Sequence, residues 1–208
     1  MKVTEKGHGA GQPSVNKGRK FPAEILTSEE ALRLLQACST RGSAGLRSRT
    51  VVVLLWRAGL RMSEVLGLYP KDVDLENGVV QVLHGKGDKR RIVGLDAQAA
   101  AVVSTWLERR KALGLNGRHR LVCTLKGRPV HSSQIRQTLR RLGRKAGIEK
   151  RVHAHGLRHS FAVSLLREGQ NVGIIQGALG HSNIATTSRY LAHLAPEEVV
   201  AAMKGREW

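Results

Sequence analysis

Aromatic side chains are scarce in this sequence. Two Phe, two Tyr and three Trp are spread over 208 residues. So few rings argue against a row of base-stacking platforms, the usual device of single-strand nucleic-acid binders. Cysteine is nearly absent too. Cys38 and Cys123 are far apart and form no C-x-x-C pattern. This excludes a disulfide framework and reads as two reduced core thiols of a cytoplasmic protein. There is no apolar run of membrane-spanning length and no signal peptide, so no membrane partner is expected. Acidic residues are also few, 16 Asp and Glu against 35 Lys and Arg.

What remains is positive charge. The formal net charge is +19 and the isoelectric point about 11.2. Such a field favours a polyanion, above all nucleic acid, and a nucleoid-associated location. The charge is clustered. Residues 131–160 hold eight Lys and Arg against one Glu, whereas residues 161–208 hold four of each sign. A hydrophobic content of 41% is enough for a core, and the length fits one domain with a short appendage.

Residues 1–22 are rich in Gly, Lys, Pro and Ser and read as a flexible basic arm. The domain proper is expected over residues 23–208. Thr27 and Glu30 make a T-x-x-E capping box, with a helix running to about Ser39. A second helix, about Leu46 to Ala58, is apolar all round at Val51 to Leu55, so it should be central; Gly59 ends it. Ser63 could cap a short helix that follows. The period then changes. Val79 to Val82 and Ile92 to Leu95 predict two strands of a β-hairpin, with a cationic tip carrying Lys86, Lys89 and Arg90.

An amphipathic helix is expected over 96–114, with Ala100, Val103 and Leu107 inward and a charged end from Glu108 to Lys111. A short buried strand is expected at Leu121 to Thr124. The helix from about Ser133 to Ala146 buries Ile135, Leu139 and Leu142 and exposes Arg136, Arg140, Arg141, Arg144 and Lys145. A face of one sign repels itself, and DNA phosphates would offset that. Arg136, Arg140 and Arg144 are therefore candidate DNA contacts. Helices follow at Leu157 to Gly169, Val172 to Leu179, Ser188 to His193 and Glu197 to Lys204. The result is an α+β domain, mainly helical, with a small antiparallel sheet.

Residues 153–190 carry the chemistry. They hold an H-x-x-R-H cluster (His155, Arg158, His159), then Leu179-Gly180-His181, then Thr186-Thr187-Ser188-Arg189-Tyr190. Arginine offers planar donors to the non-bridging oxygens of a phosphodiester, and a tyrosine can be a covalent nucleophile. This stretch resembles box II of the tyrosine recombinase (phage integrase) family. The segment G-L-R-x-S-E-x-L-x-L around Arg61 and Glu64 resembles box I, and G-K-G-x-K-x-R at residues 85–91 resembles the hairpin that carries the family's lysine. The likeness runs from about residue 24 to 200, to an Xer-like catalytic domain. The separate core-binding domain usual in the family is not seen before it, a single-domain plan like that of the fimbrial phase-switch recombinases.

The resemblance implies a mechanism. Tyr190 attacks a DNA phosphodiester and forms a 3′-phosphotyrosine. Arg61 and Arg158, both expected buried, neutralise the non-bridging oxygens. Lys86 protonates the leaving 5′-oxygen, with Lys89 as its rival. His155 assists proton transfer and His181 donates to the phosphate. Glu64 fixes Arg61, and His159 supports the core. No metal and no cofactor is implied. The partner is double-stranded DNA, with a homotetramer on paired sites and a monomer or weak dimer when free. Three other readings stay in view: a zinc site built on His153, His155 and His159; a helix-turn-helix over Ile174 to Leu191; and plain structural histidines. Within the family the activity could be that of an integrase or of an invertase that switches a promoter. Outside catalysis, a DNA-binding regulator could keep the same fold. Of the two tyrosines, Tyr69 precedes Pro70 in a turn and does not fit the frame.

Overall fold

The computed structural model describes residues 25–83, 90–180 and 204. Of the expected hairpin tip only Arg90 is described, and of the expected helix at 197–204 only Lys204; the arm and the expected helix at 188–193 lie outside the described residues. The fold is mainly helical, with a three-stranded antiparallel sheet. In chain order the elements are α1 (Ser28–Ala37), α2 (Ser43–Trp56), α3 (Met62–Gly67), a 3-10 turn (Pro70–Asp72), β1 (Val73–Asp74), β2 (Val79–Val82), β3 (Arg91–Gly94), α4 (Ala97–Ala112), α5 (Ser132–Lys145), α6 (Ala154–Arg167) and α7 (Val172–Leu179). The sheet order is β1-β2-β3, with Val80 opposite Val93.

Helix α2 is the axis of the core. It packs on α4 and α6 and touches α1 and α3. Val51 to Leu55 are each at most 2% exposed, which removes all sides of the helix from water. The capping box at the start of α1 forms as expected: Glu30 N–H donates to Thr27 Oγ1 at 3.1 Å and Thr27 N–H to Glu30 Oε2 at 2.8 Å. The chain entering α1 is tied to α6, because Leu26 N–H donates to the buried Ser160 Oγ at 2.8 Å.

Four expectations are corrected. Helix α4 turns Ala99, Val103, Trp106 and Arg110 inward; Ala100 and Leu107 only flank the core. Arg110, placed at a solvated end by its charge, is 1% exposed. Its guanidinium donates to the carbonyls of Asn116, His119, Arg120 and Leu121. Second, residues 121–124 form no strand; only Cys123 and Pro129 make an isolated bridge. The reason is where the backbone bonds go. Leu121 O is taken by Trp106 Nε1 at 2.9 Å and Cys123 O by Arg47 Nη1 at 3.0 Å, so side chains replace a neighbouring strand. Third, α3 is capped by Arg61 rather than Ser63. Fourth, α6 begins at Ala154, three residues before the expected start. His153 is its cap, its Nδ1 accepting from Gly156 N–H at 3.0 Å.

Candidate functional site

The turn between α2 and α3 sets the site. Gly59 has φ +60°, a conformation costly for any residue with a Cβ. A Cβ there would also overlap the Phe161 ring. The turn aims Gly59 O at α6, where Arg158 Nη1 donates to it. Arg158 Nη2 donates to Leu179 O at the end of α7. One guanidinium thus ties box I to the end of α7, and it is 3% exposed.

Two residues beyond Gly59, Arg61 is the N-cap of α3. Its backbone N–H donates to Glu64 Oε2 and its Nη1 to Glu64 Oε1, both at 2.7 Å. Its Nη2 donates to Gly180 O at 3.0 Å. Both arginines were expected to be buried. Arg158 is, but the Arg61 side chain keeps 25% of its surface, because α3 lies at the mouth of a cleft.

That cleft is open, about 790 Å³, and is lined by Arg61, Met62, Ser63, Leu66, Val130, His131, Ser132, Arg136, Arg151, His153, Ala154, His155 and Arg158. Box I, the start of α5 and the start of α6 therefore share one concavity. Arg61, His155, Arg158 and Arg136 meet there. Arg140 and Arg144 are exposed further along α5, and Arg90 is exposed before β3. Tyr69 does not reach the cleft. It lines a separate pocket beyond α3, with Arg120 lying over its ring at 4.3 Å. Lys86, Lys89, His181 and Tyr190 lie outside the described residues.

His155 opens on the cleft. Its Nε2 lies 2.7 Å from His159 Nε2, with the rings edge to face at 4.0 Å. A pair so close needs one nitrogen as donor and the other as acceptor. Burial of the inner side of the His155 ring, then the charges of Arg158 and Arg61, hold its pKa below the usual imidazole value. His155 is thus neutral at pH 7 and available as a proton acceptor. Among the described residues no three His, Cys, Asp or Glu gather as a metal site.

Glu64 is the hub below the cleft, with its side chain 1% exposed. Burial alone would raise its pKa. Hydrogen bonds from Arg91 and Arg61 and the Arg91 charge outweigh that and bring it down to about 2. Arg158 Nη1 stands 3.9 Å from the same carboxylate. Three guanidiniums around one carboxylate leave a local excess of positive charge. The arrangement can therefore hold an anion in the cleft beside a neutral imidazole.

Arg91 is the residue that the sequence reading gave no role. It closes the G-K-G-x-K-x-R motif, but the expected strand began one residue later, at Ile92. The signal was alternation: Arg91 and Val93 share a face of β3, and Val93 is buried while Ile92 is 65% exposed.

The fold and site define a helical domain whose chemistry-bearing turns meet at a basic cleft. The chain belongs to the phage integrase family, whose model matches residues 24–197. It is 36% identical over 183 residues to tyrosine recombinase XerD of Staphylococcus aureus (strain Mu50 / ATCC 700699), covering 87% of this chain and 61% of the relative. It is 31% identical over 194 residues to tyrosine recombinase XerD of Bifidobacterium longum (strain NCC 2705), covering 88% and 62%. The chain thus spans about three fifths of the length of these relatives. Among solved structures, XerA recombinase superposes with TM-score 0.78 at 33% identity, over 92% of this chain and 68% of that one. XerH site-specific recombinase bound to palindromic difH substrate, in a post-cleavage complex, gives 0.71 at 30%, over 88% and 53%.

Proposed function

We propose that the protein is a site-specific DNA recombinase that cuts and rejoins strands through a 3′-phosphotyrosine link. The observation that carries this reading is the meeting of Arg61, Arg158 and His155 in one cleft beside the basic face of α5. A phosphodiester in the cleft would have its non-bridging oxygens facing fixed guanidiniums, which stabilise the added charge of a five-coordinate phosphorus. Tyr190 is the nucleophile and loses its proton as the O–P bond forms. His155 accepts or relays that proton. The 5′-oxygen leaves with a proton from Lys86, or from Lys89 if that lysine is nearer, and His181 donates to the phosphate. Bond energy stays in the phosphotyrosine, so a 5′-hydroxyl from a second duplex can reverse the step. Glu64 holds Arg61, and His159 sets the tautomer of His155.

Double-stranded DNA is the proposed partner. XerH was captured on difH DNA, and the likeness to it covers most of this chain. Arg136, Arg140 and Arg144, with Arg90 and Lys89 of the hairpin, are proposed to contact its backbone. Assembly on DNA is proposed as a tetramer on paired sites, from a monomer or weak dimer in solution.

The test uses nicked duplexes with a randomised core and reads denaturant-resistant protein–DNA adduct. Wild type should accumulate adduct, and Tyr190→Phe should form none while still binding DNA. Adduct in Tyr190→Phe, or its loss in Tyr69→Phe instead, removes Tyr190 from the role. Binding without adduct in wild type makes the protein a regulator with this fold.

A further inference from the structure

We infer that Arg91 is a positioning residue for the anion site: it keeps the Arg61 fork turned to the cleft by occupying the Glu64 oxygens that would otherwise capture it. Arg91 Nη1 donates to Glu64 Oε1 and Nη2 to Oε2, both at 2.7 Å. With the Arg61 amide on Oε2 and Arg61 Nη1 on Oε1, four donors meet one carboxylate, all at 2.7 Å. A carboxylate has about four lone-pair sites, so Glu64 is saturated.

The consequence falls on Arg61. A guanidinium beside a lone carboxylate prefers two parallel bonds to it. Here Arg91 holds that bidentate place, and Arg61 has only Nη1 on the carboxylate. Arg61 Nη2 is left for Gly180 O, and the rest of its fork is left for the cleft. Take Arg91 away and the carboxylate can rotate to receive both Arg61 nitrogens, drawing the cation out of the cleft.

Arg91 also fixes the far side. Its Nε donates to Ala178 O at 3.1 Å. Gly180 has φ +61°, and a Cβ there would stand 3.0 Å from Arg91 Cδ and 3.2 Å from Nε and Nη1. The stem of Arg91 therefore packs on the turn whose carbonyl receives Arg61. One side chain on β3 sets both partners of Arg61, the carboxylate of α3 and the end of α7.

The inference rests on the strand-transfer reading only for its catalytic consequence; the anion site can be tested by itself. The probe is inorganic phosphate, titrated by calorimetry against wild type, Arg91→Met, Arg91→Lys, Glu64→Gln and the double variant Arg91→Met/Glu64→Gln. Arg91→Met should weaken phosphate binding about tenfold, the scale of one lost charge-assisted contact. Arg91→Lys restores the charge but not the fork, so it should fall between wild type and Arg91→Met. In the Glu64→Gln background, Arg91→Met should add little, because both act through the same carboxylate. In covalent capture, Arg91→Met should slow adduct formation at saturating DNA while leaving DNA affinity within about threefold, since only one cleft contact is disturbed. Wild-type phosphate binding by Arg91→Met overturns the inference, as do additive effects of the two substitutions. If Arg91→Met is unfolded, Arg91→Lys decides: at an unchanged unfolding temperature it must bind phosphate more weakly than wild type, and equal binding overturns the idea. Arg91-dependent phosphate binding with no adduct from wild type refutes the strand-transfer reading and leaves the role of Arg91 standing.

Discussion

Arg61, Arg91 and Arg158 surround the single carboxylate of Glu64, and each also meets a backbone carbonyl. Arg140, Arg141 and Arg144 on α5 are exposed and have no ion pair with a described residue. The two groups share a side chain and differ in everything around it. The cleft arginines are fixed before any ligand arrives, so no reorganisation is needed when charge develops there. The α5 arginines keep their freedom, which suits a partner whose phosphates vary in position. Fixing a charge requires a neighbourhood built for it, and loss of one member should be felt by all. An exposed row should lose its members one at a time.

The largest effect should come from the cleft. Arg158→Ala is expected to lower covalent capture about 10³-fold, as for loss of one main oxyanion donor. It should also lower stability, because Gly59 O and Leu179 O lose a buried donor. Kinetics at saturating DNA, read beside an unfolding curve, check both. Retained cleavage would mean that the cleft arginines are structural, and the contrast with α5 would collapse.

Next is the hub. Glu64 titrates at about 2 in the fold, against 4.5 as the ordinary value. At about 1.4 kcal/mol per unit, its ionised form contributes ~3 kcal/mol to stability at pH 7. The carboxyl pKa is depressed by folding, so this stability is present above pH 4.5 and is lost as pH falls towards about 2. Glu64→Gln should be less stable at pH 7 by a similar amount and show a flatter pH dependence across that window. Urea unfolding of both proteins from pH 6 downwards measures it. Parallel curves would show that the carboxylate is not the anchor.

These two regions were unequally legible in the sequence. The α5 face could be read in full, because a 3.6-residue period separates Ile135, Leu139 and Leu142 from the arginines without knowledge of anything else. Arg61, Glu64, His155 and Arg158 were found through their motifs. Their convergence depends on which carbonyl each guanidinium meets, and Gly59 O and Leu179 O carry no sequence signature. Arg91 and Arg110 were missed for one shared reason. A charged residue is read as exposed by default, yet both are inside, one held by a carboxylate and one by four backbone carbonyls. The strand expected at 121–124 failed because its apolar run marks burial alone; the carbonyls of Leu121 and Cys123 accept from the Trp106, Arg110 and Arg47 side chains, while Leu121 N–H donates to Leu68 O and Thr124 N–H to Arg128 O.

The α5 row gives the third prediction. Arg140→Ala with Arg144→Ala should reduce the slope of log K against log salt by ~0.9 for each lost phosphate contact. Cleavage at saturating DNA should stay near wild type. The free protein should become slightly more stable, by ~0.2–0.5 kcal/mol for each like-charge i,i+4 pair removed, since Arg136, Arg140 and Arg144 repel along one face. A loss of cleavage with unchanged salt slope would assign these arginines to the cleft instead.

The smallest effect tests how far the cleft's fixed charge reaches. His155 opens on the cleft and feels the charges of Arg158 and Arg61. Burial of its inner side and then these two charges disfavour the imidazolium, so its pKa lies below the ordinary 6.5. The neutral ring is the form that folding favours; the stability associated with it is present above pH 6.5 and is lost as pH falls through the lower folded value. An NMR titration of the His155 ring should therefore give a midpoint below 6.5. Arg61→Gln removes one of the two charges without touching the contact between the His155 and His159 rings, so the midpoint should rise towards the ordinary value. Arg140→Gln removes an equal charge from the exposed row and should leave the midpoint where it was, because solvent and salt screen it. Equal shifts in the two variants would mean that His155 responds to the protein's overall charge, and that the fixed and the exposed arginines do not differ in the field they set at the cleft.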